Sequence, residues 1–164
     1  MESAIHNIIA FLEFTGIKYR LEPIEGASFL PGLKLNNGTL IIDTEKLIYP
    51  GDILHEAGHL ATASPAERKT MCDILPDCDI HQAGEMMAIA WSYAACIYMG
   101  IPPEVVFHEQ GYRGGSQSLL NNFAEERYIA LPILEWTNMA YDKKKAAQLN
   151  VQPYPHMQNW LRET

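Results

Sequence analysis

Basic residues are scarce in this chain of 164 residues: 12 lysines and arginines stand against 20 aspartates and glutamates, for a formal net charge of -8. Apart from the run Lys143-Lys144-Lys145, no basic stripe offsets that charge. A dense polyanion would be repelled rather than gathered, so nucleic acid is not expected as a partner. Cysteine is sparse as well. Cys72, Cys78 and Cys96 share none of the paired two-residue spacings of a thiolate zinc site or a redox dithiol, and they read as reduced thiols. Long apolar runs are missing: the longest, Met86 to Met99, falls short of the roughly 20 residues that cross a bilayer, so no membrane span is expected. Met1-Glu2-Ser3 opens without the basic and apolar regions of a secretory signal, which predicts a cytoplasmic location.

What is present suits a folded unit. Apolar residues make up 48% of the chain and charged residues 20%, too apolar a balance for disorder, and the length predicts a single domain over 1–164. Ile5, Ile8, Ile9 and Leu12 recur at helical spacing, with Gly16 placed to close that helix. Ile17 to Leu21 alternates at period two. Phe29 to Leu35 and Thr39 to Ile42 flank Asn37-Gly38, a hairpin dipeptide. These segments predict a small, mainly antiparallel sheet, with Thr39 to Ile42 as an edge strand along which an extended peptide pairs. Pro50 and Gly51 end the strand pattern, and Asp52 is placed to cap a following helix. A second helix is predicted over about 84–99, ended by Gly100, Pro102 and Pro103, with further helical segments over 119–128 and 134–147. The expected class is therefore α+β, a sheet followed by a mostly helical C-terminal half.

The segment His55-Glu56-Ala57-Gly58-His59 contains His-Glu-x-x-His within an amphipathic helix. Residues four apart on a helix are separated by about 6 Å along the axis and about 40° around it, so both imidazoles can address one ion. Ile53, Leu54, Ala57, Leu60 and Ala61 fall on the opposite side, where they would anchor the helix. Gly58, lacking a side chain, would admit another segment or a substrate closely. The competing explanation is two histidines on a solvated face with no metal.

The motif resembles that of the zincin metallopeptidases. The resemblance implies a zincin-like fold, Zn2+ bound by His55 and His59, and Glu56 as the general base that activates a zinc-bound water. A catalytic zinc needs a third protein ligand and an open position. The metzincin continuation Gly-x-x-His is absent after His59, and the upstream cysteine of peptide deformylases has no counterpart. Gluzincins take a glutamate from a second helix, and Glu85 is placed for that role. It is the only ionisable carboxylate of a largely apolar helix, where an unpaired charge is costly. A carboxylate in a helix's first turn can also be stabilised by the dipole alone. His81, one turn earlier, is the other candidate ligand, and Glu67 lies too close behind Pro65 to fold back.

The layout is similar to small gluzincins of the ImmA/IrrE type over roughly residues 30 to 100: a hairpin precedes the motif helix, and Glu85, Ala88 and Trp91 match Glu-x-x-Ala-x-x-aromatic. The aspartate that follows the ligand glutamate in thermolysin-like enzymes is replaced by Ile89 and Ala90. Support for a ligand histidine must then come from elsewhere. An oxyanion donor is also needed, and the loop from Phe107 to Gly115 offers His108, Tyr112 and Arg113. Asp73, Asp77 and Asp79 could hold a second cation but fit a solvated connector better. Trp136, Tyr154 and Trp160 read as packing residues. The expected function is a zinc metallopeptidase acting on a peptide or protein. A non-catalytic regulatory module on the same fold, or a zinc hydrolase of a non-peptide amide or ester, are the alternatives.

Overall fold

A computed structural model describes residues 2–26, 28–73 and 79–164, and these form an α+β structure. Helix α1 (Glu2–Thr15) buries Ile8, Phe11 and Leu12. It ends at Gly16, whose φ of 77° lets the amide of Ile17 turn back to Leu12 O. Three short strands follow: β1 (Tyr19–Leu21), β2 (Leu33–Asn36) and β3 (Thr39–Ile42). Asn37 and Gly38, with φ of 46° and 73°, make the two-residue turn that pairs Asn36 with Thr39.

The sheet order is β1-β3-β2, with β1 parallel and β2 antiparallel to β3. This corrects two expectations: the sheet is mixed rather than mainly antiparallel, and Thr39–Ile42 is the central strand rather than an edge. The reason is visible in the side chains. Leu40, Ile41 and Ile42 are all buried, as a strand covered on both faces requires, whereas β2 alternates buried Leu33 and Leu35 with exposed Lys34 and Asn36. Only Leu33–Asn36 of the stretch expected from Phe29 forms a strand, because Pro31 and Gly32 turn the chain, with an isolated bridge from Leu30.

Helix α2 (Gly51–Thr62) lies against the sheet and buries Ile53, Leu54, Ala57, Leu60 and Ala61 to 1% exposure or less, the side expected from the helical wheel. Burial of the three larger side chains stabilises it by roughly 1.5–3 kcal/mol each. Asp52 does not cap it: Pro50 occupies the cap position, and the Asp52 carboxylate is engaged elsewhere. Helix α3 (Pro65–Thr70) starts with a Ser64–Glu67 capping box, which occupies the Glu67 carboxylate.

Helix α4 (Asp79–Met99) begins about a turn earlier than expected and packs along α2. A Cβ on Gly58 would stand 2.8 Å from Ala88 O and 3.0 Å from Ala88 Cα, so the missing side chain is what permits the approach. The segment α2 admits through Gly58 is thus the backbone of α4. Ser92 donates to Leu54 O across the same seam and to Ala88 O within α4. On the other side of α4, Trp91 donates to Trp160 O and Tyr154 donates to Ala90 O, attaching the C-terminal residues.

A 3₁₀ turn at Pro103–Val105 precedes the loop to Gly115, after which come α5 (Ser116–Ala124), α6 (Leu131–Trp136) and α7 (Lys143–Leu149). The helix expected over 134–147 is thus two, interrupted at Asn138, where φ is 57°. Tyr154 and Trp160 pack as expected, but Trp136 is 78% exposed, with the Arg162 guanidinium 6.0 Å above its ring. One contiguous core runs from Ile8 through Leu40, Leu54 and Trp91 to Met157. No helix among the described residues is long and apolar enough to cross a membrane.

Candidate metal centre

His55 and His59 project from the side of α2 that the apolar stripe leaves free, and their side chains are only 13% and 12% exposed. Their Nε2 atoms lie 3.1 Å apart. Glu85, on α4, brackets them: Oε1 is 3.5 Å from His55 Nε2 and Oε2 is 3.2 Å from His59 Nε2. The Gly58–Ala88 contact explains this meeting, because Ala88 lies one turn beyond Glu85 and Gly58 one residue before His59. Glu85 is half-buried, its side chain 45% exposed, where the apolar helix suggested full burial. It also stands well inside α4 rather than in its first turn, so the helix dipole does not account for its position.

Among the described residues, these three are the group able to hold a metal ion, with all ligand atoms within 4.8 Å of one another. Ligand atoms set about 2.0–2.2 Å from a tetrahedral zinc lie roughly 3.3–3.6 Å from each other. The two Nε2 atoms, 3.1 Å apart, are within a few tenths of an ångström of such an edge, and each faces a different oxygen of the Glu85 carboxylate, at 3.5 and 3.2 Å. Two imidazoles and one carboxylate are also a donor set used for catalytic zinc. Burial raises the Glu85 carboxyl, but hydrogen bonds to His55 and His59 and their charge outweigh it and hold the group well below the usual carboxylate range.

Glu56 follows His55 on the same helix and makes no hydrogen bond or ion pair with the described residues. Its carboxyl is pushed up to about 7, chiefly by burial; His59 opposes this, while the charges of Asp73, Glu85 and Asp52 add to it. It is a carboxylate of high proton affinity, near enough to the cluster for the charges of His59 and Glu85 to act on it.

The loop from Phe107 to Gly115 divides its three candidate donors. Tyr112 places its hydroxyl 3.0 Å from His55 Nδ1, with the rings edge to face at 5.5 Å. Burial drives its phenol well above the ordinary range, so the hydroxyl stays protonated. His108 turns to Asp52, with Nε2 3.0 Å from Oδ1, and stacks on Tyr49 at 3.8 Å. Its Nδ1 is buried without a partner. Arg113 is exposed and contacts neither the cluster nor another described charge. Asp52 and Tyr49 went unnoticed in the sequence as site residues. The signal for Asp52 was its position three residues before His55, on the same helical face.

Asp73 accepts from the amide of Leu35 on β2 and also acts on Glu56 through its charge. Asp77 lies outside the described residues, as do Cys78 and the side chains of Asp79 and His81. Compared with protein-family models, with curated proteins and with solved structures, the chain matches none.

Proposed function

We propose that this chain is a zinc-dependent hydrolase of peptide bonds on a zincin-like fold, with His55, His59 and Glu85 as metal ligands and Glu56 as general base. The observation that carries the reading is the convergence of ligand atoms of three residues from two helices within 4.8 Å of one another, beside a carboxylate with no partner among the described residues. Zinc, when bound, supplies a Lewis acid that brings deprotonation of a water close to neutral pH and polarises a carbonyl. His55 and His59 present Nε2 and Glu85 presents its carboxylate oxygens to the ion. A Glu56 oxygen takes the proton of the attacking water and delivers it to the leaving amine, which explains a carboxyl of high proton affinity next to the ligands. A purely structural site would have no use for it.

Support for an extended peptide as substrate comes from β2. The Leu35 amide bonds to the Asp73 carboxylate rather than to a strand, so the outer side of β2 offers a donor that a substrate carbonyl can take in Asp73's place, in the neighbourhood of Glu56.

Metal analysis after zinc-replete preparation is expected to return about one zinc per chain, and a fluorogenic peptide mixture to be cleaved in a chelator-sensitive way. Glu56→Gln is expected to retain zinc and lose about 10²–10⁴-fold in turnover, the usual worth of a positioned base. A zinc-free protein, or a Glu56→Gln variant as active as its parent, rules out the assignment.

A further inference from the structure

The geometry points to Tyr112 as the positioning residue of the metal centre: its hydroxyl accepts the Nδ1 proton of His55 and so fixes the tautomer that presents Nε2 to the ion. This inference rests on the proposed metal centre and adds a residue that takes no part in ligation. Both histidines aim Nε2 at Glu85. A neutral imidazole that gives its Nε2 lone pair to an ion must carry its proton on Nδ1, and for His55 the atom 3.0 Å from Nδ1 is the Tyr112 oxygen. The ring itself is held. It packs edge to face on His55 and lies 5.3 Å from Phe107.

The backbone shows what is spent to put it there. Tyr112 and Arg113 have φ of 53° and 52°, two successive non-glycine residues in the left-handed region. Such conformations persist only where the surroundings over-determine them. Two fastenings do so. His108, at the start of the loop, is clamped between Asp52 and Tyr49, and Ser116, at its end, donates to His108 O. Asp52 belongs to α2, one turn before His55, so the helix that carries the ligand also carries the anchor of the loop that orients it. Tyr112 thereby fills the place left by the missing aspartate at Ile89 and Ala90.

The test is nitrogen NMR of the histidine rings together with zinc affinity by chelator competition, on the wild-type chain and Tyr112→Phe. In zinc-bound wild type, the His55 Nδ1 proton is expected to be observed and to exchange slowly with solvent, and in Tyr112→Phe it is expected to exchange faster. Zinc affinity is expected to fall about 10- to 100-fold in the variant, as for loss of a partner of a ligating histidine. Zinc-bound wild type whose His55 Nδ1 proton exchanges freely, or whose zinc sits on His55 Nδ1, overturns the inference without reference to any variant, and so covers a Tyr112→Phe chain that fails to fold. Affinity unchanged within twofold in a folded variant overturns it too. Wild type that takes up no zinc sinks the metal centre itself, a failure told apart because it precedes any substitution.

Discussion

At the scale of single residues, three carboxylates surround two imidazoles and behave differently because their settings differ. Glu85 touches both rings, which hold its carboxyl low; Asp52 is taken by His108; Glu56 has no partner among the described residues and keeps its proton to higher pH. Removing Glu85 should therefore cost metal rather than fold. Glu85→Ala is expected to weaken zinc binding by at least 100-fold in chelator competition, and unchanged affinity would move the third-ligand role to His81. Glu56 gives a pH prediction. Its carboxyl titrates near 7 in the folded, metal-free chain, against about 4.3 in an unfolded one. Between those values the folded state holds a proton that the unfolded state has released, so stability falls as pH rises through the window. Metal-free Glu56→Gln is expected to exceed its parent by on the order of 2–3 kcal/mol at about pH 8, with the gap closing by about pH 4. Denaturant midpoints with a constant difference across that range would refute this.

At the scale of elements, the site is a property of the α2–α4 crossing. Gly58→Ala isolates it, because alanine should favour the isolated helix by about 1 kcal/mol. The new methyl would instead meet the Ala88 carbonyl at 2.8 Å, and backbone atoms do not yield as a flexible side chain does. The expected result is a net loss of about 1–3 kcal/mol together with weaker zinc binding, since Glu85 moves with α4. A stabilised variant with intact affinity would show that the helices adjust freely. The helices and the hairpin turn were legible from apolar period and from Asn37-Gly38, both local signals. Strand order was not, since β1 and β2 lie on opposite sides of β3 and nothing within either segment specifies that. The unbroken apolar run Leu40-Ile41-Ile42 was the one clue that β3 is central. Asp52 illustrates the same limit: a good cap residue by type, it was claimed instead by a histidine more than fifty positions away.

At the scale of the whole molecule, a bound ion would join two helices that are already packed through one core. Zinc is thus expected to stabilise the entire chain rather than fold it. Free zinc at about 1,000 times its Kd should add about 4 kcal/mol, a rise in Tm of roughly 8–16 °C by calorimetry, reversed by a chelator. No shift under zinc saturation would mean that the folded cluster does not bind the ion in preference to the unfolded chain.

The sequence by itself determined the pairing of His55 with His59 and the apolar side that seats their helix, because both follow from spacing within a few turns. It also made Glu85 a candidate by chemical type. Only the tertiary structure decided that Glu85 reaches the two rings, that the Tyr112 hydroxyl meets His55 Nδ1, and that His108 belongs to Asp52. Those contacts join residues tens of positions apart, and their distances are set by how closely helices and loop pack, which no local pattern encodes.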